Sequence, residues 1–228
     1  MGDAFSAIGA LADPVRRRLY DAVSARDDGV GREEAARLAE VPIHTARFHL
    51  DKLVEEGLLD VDRRRLSGRT GPGAGRPAKV YRRSRGEVAV SLPERGYDLV
   101  GRVLAAAVQR SLDGAPLSQT LAEEARLAGQ RDGTAYAVEH GATGSELDRS
   151  AGALTGRGFE PMPDERGLVL RNCPFDALAR EHTTLVCGVN HDYVGGVLDG
   201  LGCTRVSSRL DPGPDRCCVR VEAAASRG

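Results

Sequence analysis

The 228-residue chain is 41% hydrophobic and 29% charged with a formal net charge of −1, the composition of a soluble globular protein with length enough for two domains. These values exclude a disordered chain, and no apolar run reaches the length of a bilayer crossing, so no membrane partner is expected. Residues 1–13 lack the basic start, apolar core and cleavage site of a secretory signal, which predicts a cytoplasmic protein.

Of the 32 basic residues only Lys52 and Lys79 are lysines, a skew that GC-rich codons produce, so arginine content alone says nothing about nucleic acid. Distribution is more informative. Residues 1–95 carry a net charge of +3 and the remainder −4, which places the basic excess in the first half. There, Ala7, Ile8, Leu11 and then Val15, Leu19, Tyr20, Val23 follow helical spacing, interrupted at Asp13-Pro14, an N-cap and first-turn proline that mark a fresh helix. A short helix is predicted over 32–39, a tight turn at Glu40-Val41-Pro42, and a further helix over 43–56. In the last of these Ala46, Leu50, Leu53 and Val54 form one stripe, leaving His44, Thr45, Arg47, Phe48 and Lys52 outside it. Two short helices about a tight turn make a helix-turn-helix. Gly57 ends the second helix, residues 58–62 alternate as a strand, and 78–83 are its expected partner across a Gly/Pro-rich tip, 67–77, giving a β-hairpin wing. From Arg63 to Gly86 there are nine basic residues and no acidic one, a surface suited to duplex phosphates.

The stretch VPIHTARFHLDKLVEEGLLDV followed by GRPAKVYR resembles the winged-helix regulators of the ArsR-like group, over roughly residues 5–90. The resemblance implies double-stranded promoter DNA as partner and a recognition helix entering the major groove by its first turns, with Ile43, His44, Arg47 and Phe48 near bases. Thr45, Lys52 and, from the wing, Arg69, Arg76 and Lys79 complete the expected DNA-binding set. Phe48 stands where a small or polar residue is common, and either touches a thymine methyl or lies half buried against the wing. The helix over 97–112 is apolar over a broad face. Such a face packs on the core or, as is usual in this class, pairs with its symmetry mate in a homodimer reading two half-sites. The expected division is a winged helix-turn-helix over 1–92, a linker and dimerisation helix over 93–113, and a C-terminal domain over 114–228.

After the break at 113–116, an amphipathic segment is predicted over 117–129 and a helix over 144–154. Strands follow near 159–161 and 167–172, helices over 175–182 and 187–201, and strands over 204–210 and 217–222. This is an α+β arrangement with a small sheet covered on one side by helices. Five cysteines, an odd number without an export signal, argue against a disulfide framework and for ligands, reactive thiols or buried thiols. Steps of 14, 16 and 14 residues separate Cys173, Cys187, Cys203 and Cys217, and no CxxC pair signals a zinc ribbon or a thioredoxin-like site. Any one of them reads as a small buried apolar residue, but four in one domain point to a site.

NCPFDALAREHTTLVCGVN, followed by CCVRV, looks like the C-terminal domain of the SufR-like regulators, which carry an iron–sulfur cluster on widely spaced cysteines. The resemblance implies Cys173, Cys187 and one of Cys217 or Cys218 as ligands, since soft thiolates suit such a cluster. Strand alternation favours Cys217, which shares a face with Val219 and Val221, whereas Cys218 shares one with Arg220 and Glu222. The fourth ligand is open among His182, Cys203, Cys218 and an exogenous molecule. The expectation is therefore a DNA-binding regulator, not an enzyme, whose operator affinity follows an iron–sulfur cluster; a zinc, thiol-redox or small-molecule effector site is the alternative. A thiol enzyme with Cys187 as nucleophile and His191 or His182 as base is a remote one, and the Gly-rich loop 70–75 lacks the GxxxxGK[ST] pattern of a nucleotide-binding loop.

Overall fold

The computed structural model describes residues 4–64 and 78–224. By compactness the chain divides between Val90 and Ser91 into two units.

The first unit runs α1 (Ala4–Ala10), α2 (Pro14–Ser24), β1 (Val30–Gly31), α3 (Arg32–Leu38), α4 (Ile43–Glu55), β2 (Leu59–Arg64) and β3 (Ala78–Arg83). The Asp13 carboxylate accepts from the backbone N–H groups of Val15 and Arg16 at 2.8 and 3.0 Å, satisfying two donors that the first turn of α2 cannot satisfy itself. Between α3 and α4 the chain reverses through Glu40, held at φ 54°, and the Val41 N–H donates to the Ala36 carbonyl at 3.0 Å. Gly57, at φ 73°, then turns the chain out of α4. Leu19, Val23, Ala35, Ala46, Leu50, Leu53, Leu59 and Tyr81 are buried together, so α2, α3, α4 and the hairpin share one core. Strands β2 and β3 pair antiparallel from Leu59 opposite Arg83 to Arg64 opposite Ala78. A third strand, the two-residue β1, joins the other edge of β3 through Val30 opposite Tyr81. It had no periodicity to announce it, being too short to alternate. The expected wing tip, 67–77, with Arg69 and Arg76, lies outside the described residues.

The second unit contains α5 (Tyr97–Leu112), α6 (Leu117–His140), α7 (Glu146–Thr155), β4 (Pro161–Asp164), β5 (Gly167–Leu170), α8 (Asp176–Glu181), α9 (Thr183–Gly200), β6 (Val206–Leu210) and β7 (Val219–Ala223). The four strands form an antiparallel sheet in the order β4-β5-β7-β6. Val219 and Val221 turn into a core built with α5, α6, α7 and α9. Arg220, between them, is only 3% exposed and is met by Asp164 and Asp211 at 2.6 and 3.3 Å, so the alternation of β7 separates an apolar face from an ion-paired one. Helix α5 lies within this unit. Its residues Val100, Val103 and Ala107 are in the core, and the Thr120 hydroxyl of α6 donates to the Ala107 carbonyl at 3.1 Å.

Two expectations need correction here. The segment expected to end at Gly129 continues to His140. Its glycines are not breaks but a contact surface: a Cβ on Gly129 would stand less than 3 Å from the Tyr193 carbonyl oxygen, and one on Gly133 equally close to that of Val197. From the other side, a Cβ on Gly196 or Gly200 of α9 would collide in the same way with the Arg126 or Gln130 carbonyl oxygen. The two backbones touch through four missing side chains. Secondly, α9 begins at Thr183, so Cys187 sits in its second turn rather than opening it.

Because the neighbours are backbone atoms that no rotamer change moves, Gly196→Ala or Gly133→Ala should destabilise the second unit by about 3 kcal/mol or more, beyond the usual range for added methylenes in a tight core. Gly101→Ala, on α5 with nothing within 4 Å of the added methyl, should instead stabilise by about 0.5–1 kcal/mol. Urea unfolding of the three variants checks this, and equal effects at all three positions would refute the backbone contact.

Candidate functional sites: a nucleic-acid interface and a cysteine cluster

In the first unit, α4 buries Ala46, Leu50 and Leu53 and turns Ile43, His44, Arg47 and Phe48 outward, with Thr45 half-buried at the edge. Phe48 is 68% exposed, its ring meeting only the edge of His49 at 5.2 Å between centroids, so the half-buried position is excluded among the described residues. A large phenyl left in water on the outer face of a helix is unusual unless something covers it. Lys52 is less available than its position suggests. Its ammonium bonds Glu56 at 2.7 Å and Glu55 at 3.0 Å on its own helix, and these hydrogen bonds raise its pKa. Lys79 is likewise engaged, its ammonium lying 2.7 Å from the Asp51 carboxylate.

Between the starts of α3 and α4 and the hairpin runs a groove of about 710 Å³, lined by Arg32, Ile43, Arg47, Arg63 and Lys79 together with Glu33 and Glu34. Arg63 sits opposite Lys79 in the strand register. Among the described residues Arg47 and Arg63 form no ion pair, so their guanidinium groups are free for an external anion. Arg32 and Arg63 were not singled out as site residues from sequence. The signal for Arg63 was present in its basic run, whereas Arg32, between Gly31 and two glutamates, carried none.

In the second unit, three separated stretches bring four of the five cysteines to one place. Cys217, 2% exposed just ahead of β7, anchors its backbone N–H on the Leu170 carbonyl at 2.8 Å, next to the loop that carries Cys173. Its thiol is hydrogen-bonded to Cys173, and that bond, with the Phe175 backbone N–H, holds the Cys173 thiol below its ordinary pKa against partial burial. Cys217 is pushed the other way by the same bond and by its own burial. Cys217 Sγ also accepts from the Asn190 side-chain amide at 3.1 Å and from the Val219 N–H at 3.5 Å. Asn190 lies three residues beyond Cys187 and so on the same face of α9. Arg95 donates to the Cys173 carbonyl at 2.8 Å and to Asn172 at 2.7 Å, tying that loop to the start of the unit.

Cys187 is joined to Cys218 by a disulfide. This departs from two expectations, the argument against a disulfide framework and the placing of Cys218 on the face of Arg220 and Glu222, away from the site. The physical reason is that Cys218 precedes β7, where the backbone has not yet taken up strand alternation, so its side chain reaches α9 although Cys217 points inward as expected. His182 is exposed at the junction of α8 and α9, and His191 faces the Ser208 carbonyl at 3.3 Å, so neither joins the sulfurs. Cys203 is apart, its sulfur 3.9 Å from the Ser150 hydroxyl. Among the described residues no group of three or more His, Cys, Asp or Glu side chains is placed to hold a metal ion, and two of the sulfurs are bonded to each other. The sulfurs lie as two pairs, Cys173 with Cys217 and Cys187 with Cys218, and N–H groups from Asn190 and Val219 are directed at Cys217; soft thiolates are the ligand type an iron–sulfur cluster takes, but the disulfide leaves two of them unable to serve as such in this state.

Residues 11–62 match a helix-turn-helix domain family. They comprise α2 to α4 and the start of β2, so the first unit carries a helix-turn-helix domain, the kind that binds DNA in transcriptional regulators. No curated protein and no solved structure matches the chain. Among the described residues no helix is long and apolar enough to cross a membrane.

Alkylation of the protein denatured without reductant should modify three thiols, Cys173, Cys203 and Cys217, and after reduction all five. Peptide mass spectrometry reads this directly. Full alkylation of Cys187 and Cys218 in the unreduced sample, from protein prepared in air, would remove the disulfide.

Proposed function

We propose that the chain is a winged helix-turn-helix regulator that binds promoter DNA as a homodimer, and that an iron–sulfur cluster held by the cysteines of its second unit sets its operator affinity. The observation that supports the sensor half is the pairing of Cys173 with Cys217 and of Cys187 with Cys218, two pairs from three stretches distant in sequence that adjoin through Cys217 and Cys218. Ligation at such a junction contributes to folding as well as sensing, because the three stretches must be docked for all the sulfurs to act together. Cys173, Cys187 and Cys217 are the ligands, and Cys218 is the fourth donor in place of His182. Cys187 and Cys218 become available once their disulfide is reduced. Asn190 and Val219 donate to the Cys217 sulfur and lower the charge it presents. When bound, such a cluster supplies electron-transfer chemistry and sensitivity to oxidants.

The hairpin β2-β3 is the wing, and Ile43, His44, Thr45, Arg47 and Phe48 form the reading face of α4. Phe48 meets a thymine methyl, an apolar contact that a base edge offers in the major groove. Regulation then requires that the state of the cysteine site prefer one of two dimer geometries. The dimer surface is the part of α5 that its own core leaves uncovered, where Val108 is exposed and Leu112 is 77% exposed. Sedimentation equilibrium should find a dimer that Leu112→Arg shifts toward monomer, and a monomeric wild-type protein would remove this part of the reading.

One observation favours a second reading, a metal-free dithiol switch: the Cys187–Cys218 disulfide itself. Anaerobic reduction followed by ferrous iron and sulfide separates the two. The cluster reading expects visible absorption that serine at Cys173, Cys187 or Cys217 abolishes and serine at Cys203 leaves, with a matching change in affinity for a duplex selected by the wild-type protein from a random library. Protein that stays colourless, yet binds that duplex differently when oxidised and reduced, supports the dithiol switch. Stoichiometric zinc in colourless protein supports a zinc site.

A further inference from the structure

Ile43, Arg47 and Asp51 are spaced four residues apart on α4 and so lie along one stripe of the helix. Two of them line the groove described above. The third, Asp51, accepts on its carboxylate from the Lys79 ammonium, itself a lining residue, at 2.7 Å and from the Tyr81 hydroxyl at 3.3 Å. Lys79 and Tyr81 are alternate residues of β3 and project from the same face of the hairpin. The Tyr81 ring is fully buried in the core between helices and hairpin, so its hydroxyl cannot move far from Asp51. One acidic side chain of the recognition helix is thus fastened to two alternate residues of the wing strand.

An acidic group here works against phosphate binding, and two neutral residues in contact would have packed the strand as well. What Asp51 adds is direction. It draws the Lys79 ammonium onto the helix, and leaves Arg32, Arg47 and Arg63 as the groove-lining cations without an ion pair among the described residues. Partial burial opposes its ionisation, but the bonds from Lys79 and Tyr81 hold the carboxyl below its ordinary pKa, so at neutral pH it stays charged.

We infer that Asp51 is a positioning residue for DNA recognition: it latches the wing to the recognition helix through Lys79 and Tyr81 and withholds Lys79 from the DNA backbone. The inference rests on the DNA-binding reading of the first unit and on no property of the cysteine site. Without the latch the Lys79 end of the wing strand loses its tie to α4, while Tyr81 stays held by its buried ring, and discrimination falls because base contacts depend on the spacing at that end. Lys79, released, adds one phosphate contact that carries no sequence information.

The test uses the full-length protein, a duplex selected by the wild type from a random library, and a random-sequence duplex of equal length. Each is titrated between 50 and 200 mM salt. Asp51→Asn should lower the ratio of selected to random affinity and steepen the salt dependence by about 0.9 in log–log slope for each bound copy. Lys79→Met alone should leave the slope unchanged, and added to Asp51→Asn it should return the slope to the wild-type value. Asp51→Glu, which keeps the charge, should restore much of the discrimination. A slope that flattens by about 0.9 in Lys79→Met shows that Lys79 already lies on a phosphate and overturns the inference. So does an Asp51→Asn protein that loses affinity for both duplexes equally with its slope unchanged, which is the signature of general destabilisation. Salt-independent binding by the wild type itself, before any substitution, would instead overturn the DNA-binding reading from which the inference starts.

Discussion

The second unit depends on the contact between α6 and α9. Four glycines, two on each helix, remove the side chains that would hold the helices at the usual separation of about 8–10 Å, and each backbone packs on the other's carbonyl groups. Glycine inside a helix is destabilising by roughly 0.5–1 kcal/mol relative to alanine, so four of them weaken both helices unless the close approach returns more. The return is packing along almost the whole length of α9, whose residues Tyr193, Val194, Val197 and Leu198 are all buried. The Tyr193 hydroxyl donates to Asp132 of α6 at 2.7 Å and closes the same contact with a polar bond.

This contact has a consequence for the sulfur site. Cys187 and Asn190 belong to the first half of α9, and the glycines to its second half. The helix is therefore gripped at one end and presents chemistry at the other. Held in place by α6, it offers Cys187 to Cys218 and Asn190 to Cys217, while Cys217 is fixed independently by its backbone bond to Leu170. The two sulfur pairs form where a rigid helix and a sheet edge are each immobilised by contacts that involve no sulfur.

The first unit solves a different problem, the management of like charges. Its cations cluster on the hairpin and at the start of α4, and close guanidinium groups repel one another in the absence of DNA. Carboxylates placed among them, Asp51 beside Lys79 and Glu55 and Glu56 beside Lys52, neutralise some and leave others exposed. The result is a surface whose free cations are fewer and better placed than the charge count implies. Arg47 and Arg63 stand free among the described residues while both lysines of the chain are engaged, a division of labour that suits the planar, bidentate guanidinium to DNA contact and the flexible ammonium to intramolecular pairing.

Much of this architecture was legible in the sequence because it is local. Asp13-Pro14, the turn at 40–42 and Gly57 act on their own neighbours, so the helices of the first unit and the pairing of β2 with β3 follow from spacing and caps. The inward turn of Cys217 agrees with the alternation read from the strand, but Cys218, one residue nearer β7, does not follow it. Tertiary structure decided the rest, wherever the cause lies on another element. A glycine in a helix reads as a break until the carbonyl of α9 that requires it is in place, and so α6 was read eleven residues short of His140. Cys187 and Cys218 lie 31 residues apart, and nothing in that interval announces that a helix turn and a strand entrance will meet. Asp51 likewise reads as one more solvated acid on a helix, because the strand residues that make it a latch are remote in the chain. Periodicity reports which face of an element is covered; only the packed fold decides what covers it.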